Sequence, residues 1–366
     1  MKKQAIGFFL RMGLALVAAT QLPAQPAIGD VYTLSNQSTG NAVVAFHRAA
    51  NGALTFAGTY PTGGSGMGTG NDPLGSQGAV ALDRGGRLLF AVNAGSNDVS
   101  AFAAGRDGLE LLNVVSSRGT MPVSVAVRGD LVYVLNAGGT PNVAGFTIDH
   151  RGNQLVPLPG SERVLSGGAA AKPAEVSFSR DGDFLMVTEK GTQTIDTYLV
   201  GDRGYLTGPI SNHSSGATPF GFEFTHRDVA IVSEAGASAL SSYRVSENGD
   251  LQPISGSVTN GQGAVCWAVV TNDGRFAYTI NAATATISSY RVSPAGVLSL
   301  LNAVAASTGA GSVPTDAALS PDSRYLYVRA GGAGQVQGFR VGVDGSLTAA
   351  GAAGGVPAGS QGLAVR

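Results

Sequence analysis

Tyr133-Val134-Leu135-Asn136 recurs along the chain as Phe90-Ala91-Val92-Asn93 and Tyr278-Thr279-Ile280-Asn281, and with an acid in the last place as Met186-Val187-Thr188-Glu189 and Ile231-Val232-Ser233-Glu234. Each copy reads as one short β-strand, rich in the aromatic and β-branched residues that suit a pleated surface. In most copies an apolar residue follows the final position by six and an aromatic by nine, as in Val99 and Phe102, Ile195 and Tyr198, Leu240 and Tyr243, and Ile287 and Tyr290. One duplication is literal: Ser241-Ser242-Tyr243-Arg244-Val245-Ser246 returns as Ser288-Ser289-Tyr290-Arg291-Val292-Ser293.

The strand-ending anchors are Asn36, Asn93, Asn136, Glu189, Glu234, Asn281 and Ala330, between 43 and 57 residues apart, the spacing of four-stranded propeller blades. The punctuation repeats with them. Arg180-Asp181-Gly182, Asn272-Asp273-Gly274 and Pro321-Asp322-Ser323 fall between the first two strands of a unit. Asp107-Gly108, Asn248-Gly249 and Asp344-Gly345 fall between the last two. Such pairs supply the left-handed backbone of tight hairpins, so the strands are antiparallel neighbours.

The termini sharpen the reading. The first unit has three strands (31–36, 43–46, 54–60), and a lone strand over 361–365 is left at the far end. Its approach, Pro357-Ala358-Gly359-Ser360-Gln361-Gly362, echoes Pro73-Leu74-Gly75-Ser76-Gln77-Gly78, which introduces the inner strand of the second unit. The terminal strand is therefore expected to complete the first blade, closing the ring and removing two sheet edges. The fold class is all-β: a seven-bladed β-propeller forming one domain over 29–366. A β-sandwich or an open solenoid does not account for three strands at one end and one at the other. The stretches 63–75 and 166–171 read as long, flexible connections between blades.

Composition agrees: of 366 residues, 54 are glycine and only 13% are charged, poor in the residues that clothe surface helices. A net charge of −1 with no basic run excludes the phosphate-neutralising surface that nucleic acid requires. Residues 1–24 have the Lys2-Lys3 start, apolar centre and small-residue end of a signal peptide, so a secreted, periplasmic or cell-envelope location is expected, with no membrane span after cleavage. Cys266 is the single cysteine, no Cys or His cluster has metal spacing, and no cofactor is expected. A monomer and a small-molecule partner are expected.

In a propeller, the loop leaving each second strand and the loop entering each inner strand emerge on one face. That reasoning puts Asn93, Asn136, Asn281, Glu189 and Glu234 near the rim of the central channel, with Gln77, Ser124, Glu175, Trp267 and Asp316 beside them. Each has a plain structural alternative. An Asn ending a strand commonly bonds its own turn, and Trp267 suits packing between blades as well as stacking on a ligand ring. Glu189 and Glu234 put a charge where capping does not need one, which makes them candidates for general acid or base work. Glu175 and Asp316 are expected to face the channel, because a charge between blades is costly. Of the four histidines only His213, in the loop before the fifth blade, falls on the expected functional side.

The strand motif, the Asp-Gly hairpins and the proline-led inner strands resemble the lactonase family of seven-bladed propellers, which includes bacterial 6-phosphogluconolactonases and fungal carboxymuconate-lactonising enzymes. The resemblance covers essentially all of the chain after residue 24. It implies hydrolysis of a sugar-derived or carboxylated lactone at the channel mouth, with Glu234, in Val232-Ser233-Glu234, at the place of the family's acid and Glu189 as a second candidate base. Where the family carries histidines after the proline of some inner strands, this sequence has Pro173-Ala174-Glu175 and Pro219-Phe220-Gly221. A non-catalytic binding or scaffold propeller of the cell envelope is the competing reading.

Overall fold

The computed structural model describes residues 26–68 and 70–366; the expected signal peptide, 1–24, lies outside the described residues. Seven antiparallel sheets stand around one axis, and six of them run in simple sequence order from the innermost strand outward. Blade two covers 80–116, blade three 120–164, blade four 173–213, blade five 219–259, blade six 265–307 and blade seven 314–354. Blade one takes Ala27–Leu34, Ala42–Ala49 and Leu54–Pro61 from the start of the fold and Gln361–Val365 from its end. The last strand lies innermost, antiparallel to the first, with Val365 opposite Val31 and Gln361 opposite Leu34. The ring thus closes as the sequence requires. Arg366 reinforces the closure by ion pairing with Asp30 at 2.6 Å and donating to the carbonyl of Ala104 in blade two at 2.7 Å.

Hairpin chemistry does what the Asp-Gly and Asn-Gly pairs predict: Gly108, Gly182, Gly249, Gly274 and Gly345 all have left-handed φ. Blade three departs from the pattern. Pro157-Leu158-Pro159-Gly160 breaks its outer strand, and Arg163–Val164 then pairs separately with Asn142 and Val143.

Two sets of seams hold neighbouring blades together. The buried tyrosines of the repeat motif reach into the outer hairpin of the following blade: Tyr133 donates to the Gly204 carbonyl at 2.8 Å, Tyr278 to Gly345 at 3.1 Å and Tyr327 to Gly52 at 2.9 Å. Each combines a fully buried ring with a satisfied hydroxyl, so its burial contributes about 1.5–3 kcal/mol without a polar penalty. The second set, on the opposite face, consists of the anchors themselves.

Candidate functional site

Each polar anchor is wholly buried; in blades three to six it grips the connection that arrives from the preceding blade, and in blade two it meets Asn41 in the first turn of blade one. Glu234 accepts from the Gly216 N–H at 2.7 Å and the Ser241 hydroxyl at 2.5 Å through one oxygen, and from the Ser257 hydroxyl at 2.6 Å through the other. Ser214 and Tyr243 complete the shell. A Cβ on Gly216 would collide with that carboxylate, so only glycine lets the loop come so close. Glu189 accepts from the Gly167 N–H at 3.1 Å and from Thr192 at 2.5 Å. Asn136 instead donates to the Ser117 carbonyl at 3.0 Å, Asn93 accepts from Asn41 at 2.9 Å, and Asn281 accepts from Asn260 at 3.1 Å. An acid stands where the arriving loop presents N–H groups, and an amide where the loop offers a carbonyl or another amide.

The rim position expected for Asn93, Asn136, Asn281, Glu189 and Glu234 is therefore corrected. The anchors end their strands on the expected face but turn into the seams between blades, where the carboxylates are enclosed by donors and have no open side for water. The connection 166–171, expected to be flexible, is held by the same bonds and contains a short 3₁₀ turn at Gly168–Ala170.

The channel on that face is closed by the segment 72–78, which enters blade two across the axis. Gln77 donates to the Ala268 carbonyl and accepts from the Ala268 N–H in blade six, both at 3.0 Å, and its own N–H donates to Ala174 in blade four. Trp267 donates to the Ser76 carbonyl at 3.0 Å and packs edge-on against Phe220 with ring centroids 5.2 Å apart, so its ring is not free for a ligand. Gly221 must lack a side chain because a Cβ there would occupy the place of the Gln77 amide. His213 lies at the end of the outermost strand of blade four, paired with Thr194 and exposed, at the periphery of the ring rather than at its mouth.

Around this strap the structure gathers charges that the sequence reading missed. Asp72, on the strap, accepts from the Gly75 N–H at 3.0 Å. Lys190 of blade four donates to the Gly75 carbonyl and lies 4.8 Å above the Phe220 ring. Arg329 of blade seven is almost fully buried, donates to Thr315, and keeps its Nε unpaired. Burial raises the Asp72 carboxyl, against the pull of Lys190, and lowers the Lys190 ammonium, against the pull of Asp72. Burial pushes the Cys266 thiol up to about 12, which keeps it protonated and unsuited to nucleophilic attack. The signal for two of these residues is in the repeat: the position after the anchor is Ala94, Ala137, Ala235 and Ala282, yet Lys190 in blade four, and Tyr327-Val328-Arg329-Ala330 puts a cation where other copies have small or apolar residues.

Glu175 and Asp316 do come together, beneath the strap and against its Gln77. They form the inner end of an axial cavity of ≈ 850 Å³ that runs along the inner strands to the opposite face, where Arg84, Arg128, Arg180 and Asn272 surround it. Glu175 accepts from the Phe222 N–H and Glu223 from the Val270 N–H, both at 2.6 Å, tying each inner strand to the next. Asp316 has left-handed φ, accepts from its neighbour Ala317 at 2.9 Å, and leaves its other oxygen buried and without a partner. Burial is the first cause raising all three carboxyls: Glu175 well above the usual range, Asp316 to about 8 and Glu223 to about 7. No group of three or more metal-ligating side chains occurs among the described residues.

A model of the lactonase seven-bladed β-propeller matches residues 141–267 and 229–355, together more than half of the chain. The chain belongs to the lactonase family of seven-bladed β-propellers. Among solved structures, this lactonase-family propeller is similar to a putative 6-phosphogluconolactonase from Bacteroides fragilis, with 19% identity over 93% of this chain and 100% of that one and a TM-score of 0.69. It is likewise similar to a periplasmic gluconolactonase from Pseudomonas aeruginosa, with 18% identity, coverage of 92% and 99%, and a TM-score of 0.67. A protein from Lactobacillus plantarum aligns with a TM-score of 0.73 at 19% identity, over 93% of this chain and 100% of that one. At these identities the likeness is one of fold. No curated protein sequence matches the chain.

Proposed function

We propose that this propeller hydrolyses a small, hydroxylated lactone at the strapped mouth of its channel, with Asp72 as general base. The observation that carries the reading is the meeting of Asp72 and Lys190 at Gly75 of the strap, within the electrostatic reach of Arg329, where blades four and seven each put a cation at a repeat position that is uncharged in the other copies. In this scheme the Asp72 carboxylate takes a proton from water as its oxygen adds to the lactone carbonyl. The Lys190 ammonium stabilises the oxyanion that forms. The ring C–O bond then breaks, the departing alkoxide takes the proton back from Asp72, and a hydroxy acid leaves. Arg329 acts as a positioning residue whose charge, with that of Lys190, opposes the effect of burial on Asp72. Family membership and the names of the gluconolactonase-like relatives support the substrate class. The signal-like pattern of 1–24 and the periplasmic relative support export; no helix among the described residues is long and apolar enough to cross a membrane.

Glucono-δ-lactone hydrolysis by the purified chain, followed by acid release, tests this. Asp72→Asn is expected to lower kcat by about 10²–10⁴ with a small change in KM. Turnover unaltered in that variant removes Asp72 from the reaction, and a wild-type chain inert on a panel of lactones favours the second reading. That reading is a binding propeller without catalysis, and one observation speaks for it: the strap fills the middle of the mouth that a substrate would otherwise enter.

A further inference from the structure

In blades two, five and six a serine stands seven residues after the anchor, as Ser100, Ser241 and Ser288. In blade five it serves the acid anchor directly, since the Ser241 hydroxyl donates to Glu234. Blade four has the other acid anchor, Glu189, yet carries Asp196 at that place. Both carboxyls are wholly buried, and they converge on one turn of the arriving connection. The Ser166 N–H donates to Asp196 at 2.8 Å and the Ser166 hydroxyl to Glu189 at 3.4 Å, while the next N–H, of Gly167, donates to Glu189 at 3.1 Å. The second oxygen of Asp196 and the Tyr198 hydroxyl two residues on have no partner among the described residues.

Neither carboxyl forms a salt bridge among the described residues. Arg163, on the last strand of blade three, approaches Tyr198 but commits its guanidinium to the carbonyls of Leu206, Gly160 and Glu162. Glu162 pairs with Arg118. The outermost strand of blade four sets Ser211 opposite Asp196 and the exposed His213 opposite Thr194. Lys190, next to Glu189 in the chain, turns to the strap, and Lys172 is exposed. A serine donates with its own hydroxyl, whereas an aspartate beside a carboxylate donates only if it keeps a proton. Two like charges enclosed together are costly, so one of the two is held neutral. Burial is the first cause raising the Asp196 carboxyl, to about 7; the Glu189 charge adds to it and the Ser166 hydrogen bonds oppose it.

We propose that Glu189 and Asp196 share one proton in the seam between blades three and four, and that this proton is a pH-sensitive catch on the connection 166–171. With the proton in place, both carboxyls hold the connection through Ser166 and Gly167. Without it the two charges repel with no cation to meet them, and the seam relieves them by admitting water and parting the connection from the sheet. The same stretch bears on the mouth, because the carbonyls of Ala171 and Lys172 accept from the N–H groups of Gly191 and Lys190 at 2.8 and 3.3 Å. The closed seam keeps a proton that an opened one releases at about pH 4. The catch therefore weakens as pH rises from about 4 to about 7 and weakens no further above that.

Hydrogen–deuterium exchange of the whole chain from pH 5 to pH 9, corrected for the intrinsic rate, tests this, with 214–218, the matching connection into blade five, as internal standard. Protection of 166–171 is expected to fall roughly tenfold or more between pH 5 and pH 7 and then level, while 214–218 changes far less. Asp196→Ser, which restores the hydroxyl of the other copies, and Asp196→Asn, which keeps the shape of the protonated acid, are each expected to flatten the dependence. Equal pH dependence at the two connections in the wild-type chain overturns the proposal without any variant, and so does a dependence at 166–171 that survives both substitutions. The bearing on Lys190 rests on the lactone reading; the exchange measurement does not, so a chain inert on lactones leaves the catch standing and the two failures are told apart.

Discussion

Glu234 and Asp316 are both buried carboxyls on strands close to the channel, yet their surroundings differ in kind. Glu234 sits in a seam between blades and receives one N–H and several hydroxyl groups. Asp316 sits on the innermost strand of blade seven, receives the N–H of its own neighbour, and has an unmatched oxygen. Burial is shared; donor supply is not. A carboxylate surrounded by donors is a joint, since every lone pair is already used, whereas one with a buried, unmatched oxygen is favoured in the form that keeps its proton.

The sharpest way to break this contrast is to remove the joint. Glu234→Ala strands the Gly216 N–H and leaves a hole in the seam between blades four and five. A loss of about 3–5 kcal/mol in urea denaturation is expected. A loss below about 1 kcal/mol would mean that the enclosing donors find other partners and that Glu234 is free for another task.

Asn136→Asp tests the rule that the arriving loop dictates the anchor. Its amide donates to the Ser117 carbonyl and to Asn142, while its own oxygen has no partner. A carboxylate there would face a carbonyl with nothing to neutralise it, so a destabilisation of about 2–3 kcal/mol is expected from a change of nearly identical shape. An unaffected midpoint would show that the choice between acid and amide at the anchors is not set by hydrogen bonding.

The pH dependence of stability examines the other carboxyl. Asp316 and Glu223 titrate near 8 and 7 in the folded chain and near 4 when unfolded, and Glu175 is raised in the same sense. The folded state therefore holds protons that the unfolded state has released, and stability falls as pH rises from about 4, by about 1.4 kcal/mol per unit for each group, until Glu223 ionises at about 7 and Asp316 at about 8. Urea midpoints from pH 5 to pH 8 are expected to decline, and Asp316→Asn is expected to make the decline shallower by one group's share. A midpoint that rises across this window would place the ionised forms in the fold and remove the neutral carboxyls from the floor of the cavity.

Much of the architecture was legible because it is repeated. Seven anchors, the hairpin dipeptides and the echo of Pro73–Gly78 in Pro357–Gly362 set the number of blades and the closing strand, and Gln361–Val365 lies where that echo puts it. The site was far less legible. Repetition identifies an anchor's position along its strand, but whether its side chain turns to the axis or into a seam depends on the loop from the preceding blade, which has no fixed sequence. The strap was hidden for a related reason: Gly-rich 63–75 reads as a flexible connection, while Gln77, just after it, bonds across the channel to Ala268, nearly two hundred positions away. What the repeat did record was its own violations, Lys190 and Arg329, visible once the copies are laid over one another.

The smallest effect is expected at His213. Sequence position puts it in a loop on the functional face, and as the one histidine there it would be the natural general base. The fold gives it another setting: Leu206–His213 is the outermost strand of blade four, and the imidazole is exposed at its end, with the whole width of the sheet between it and the axis. His213→Ala should change stability by less than about 0.5 kcal/mol, as for other surface positions without a special contact, and should leave lactone turnover and its pH profile unchanged. A drop in turnover with the pH profile of an imidazole would move the chemistry from the strapped mouth to the rim of blade four, because no side chain at that distance reaches a substrate held by Asp72 and Lys190.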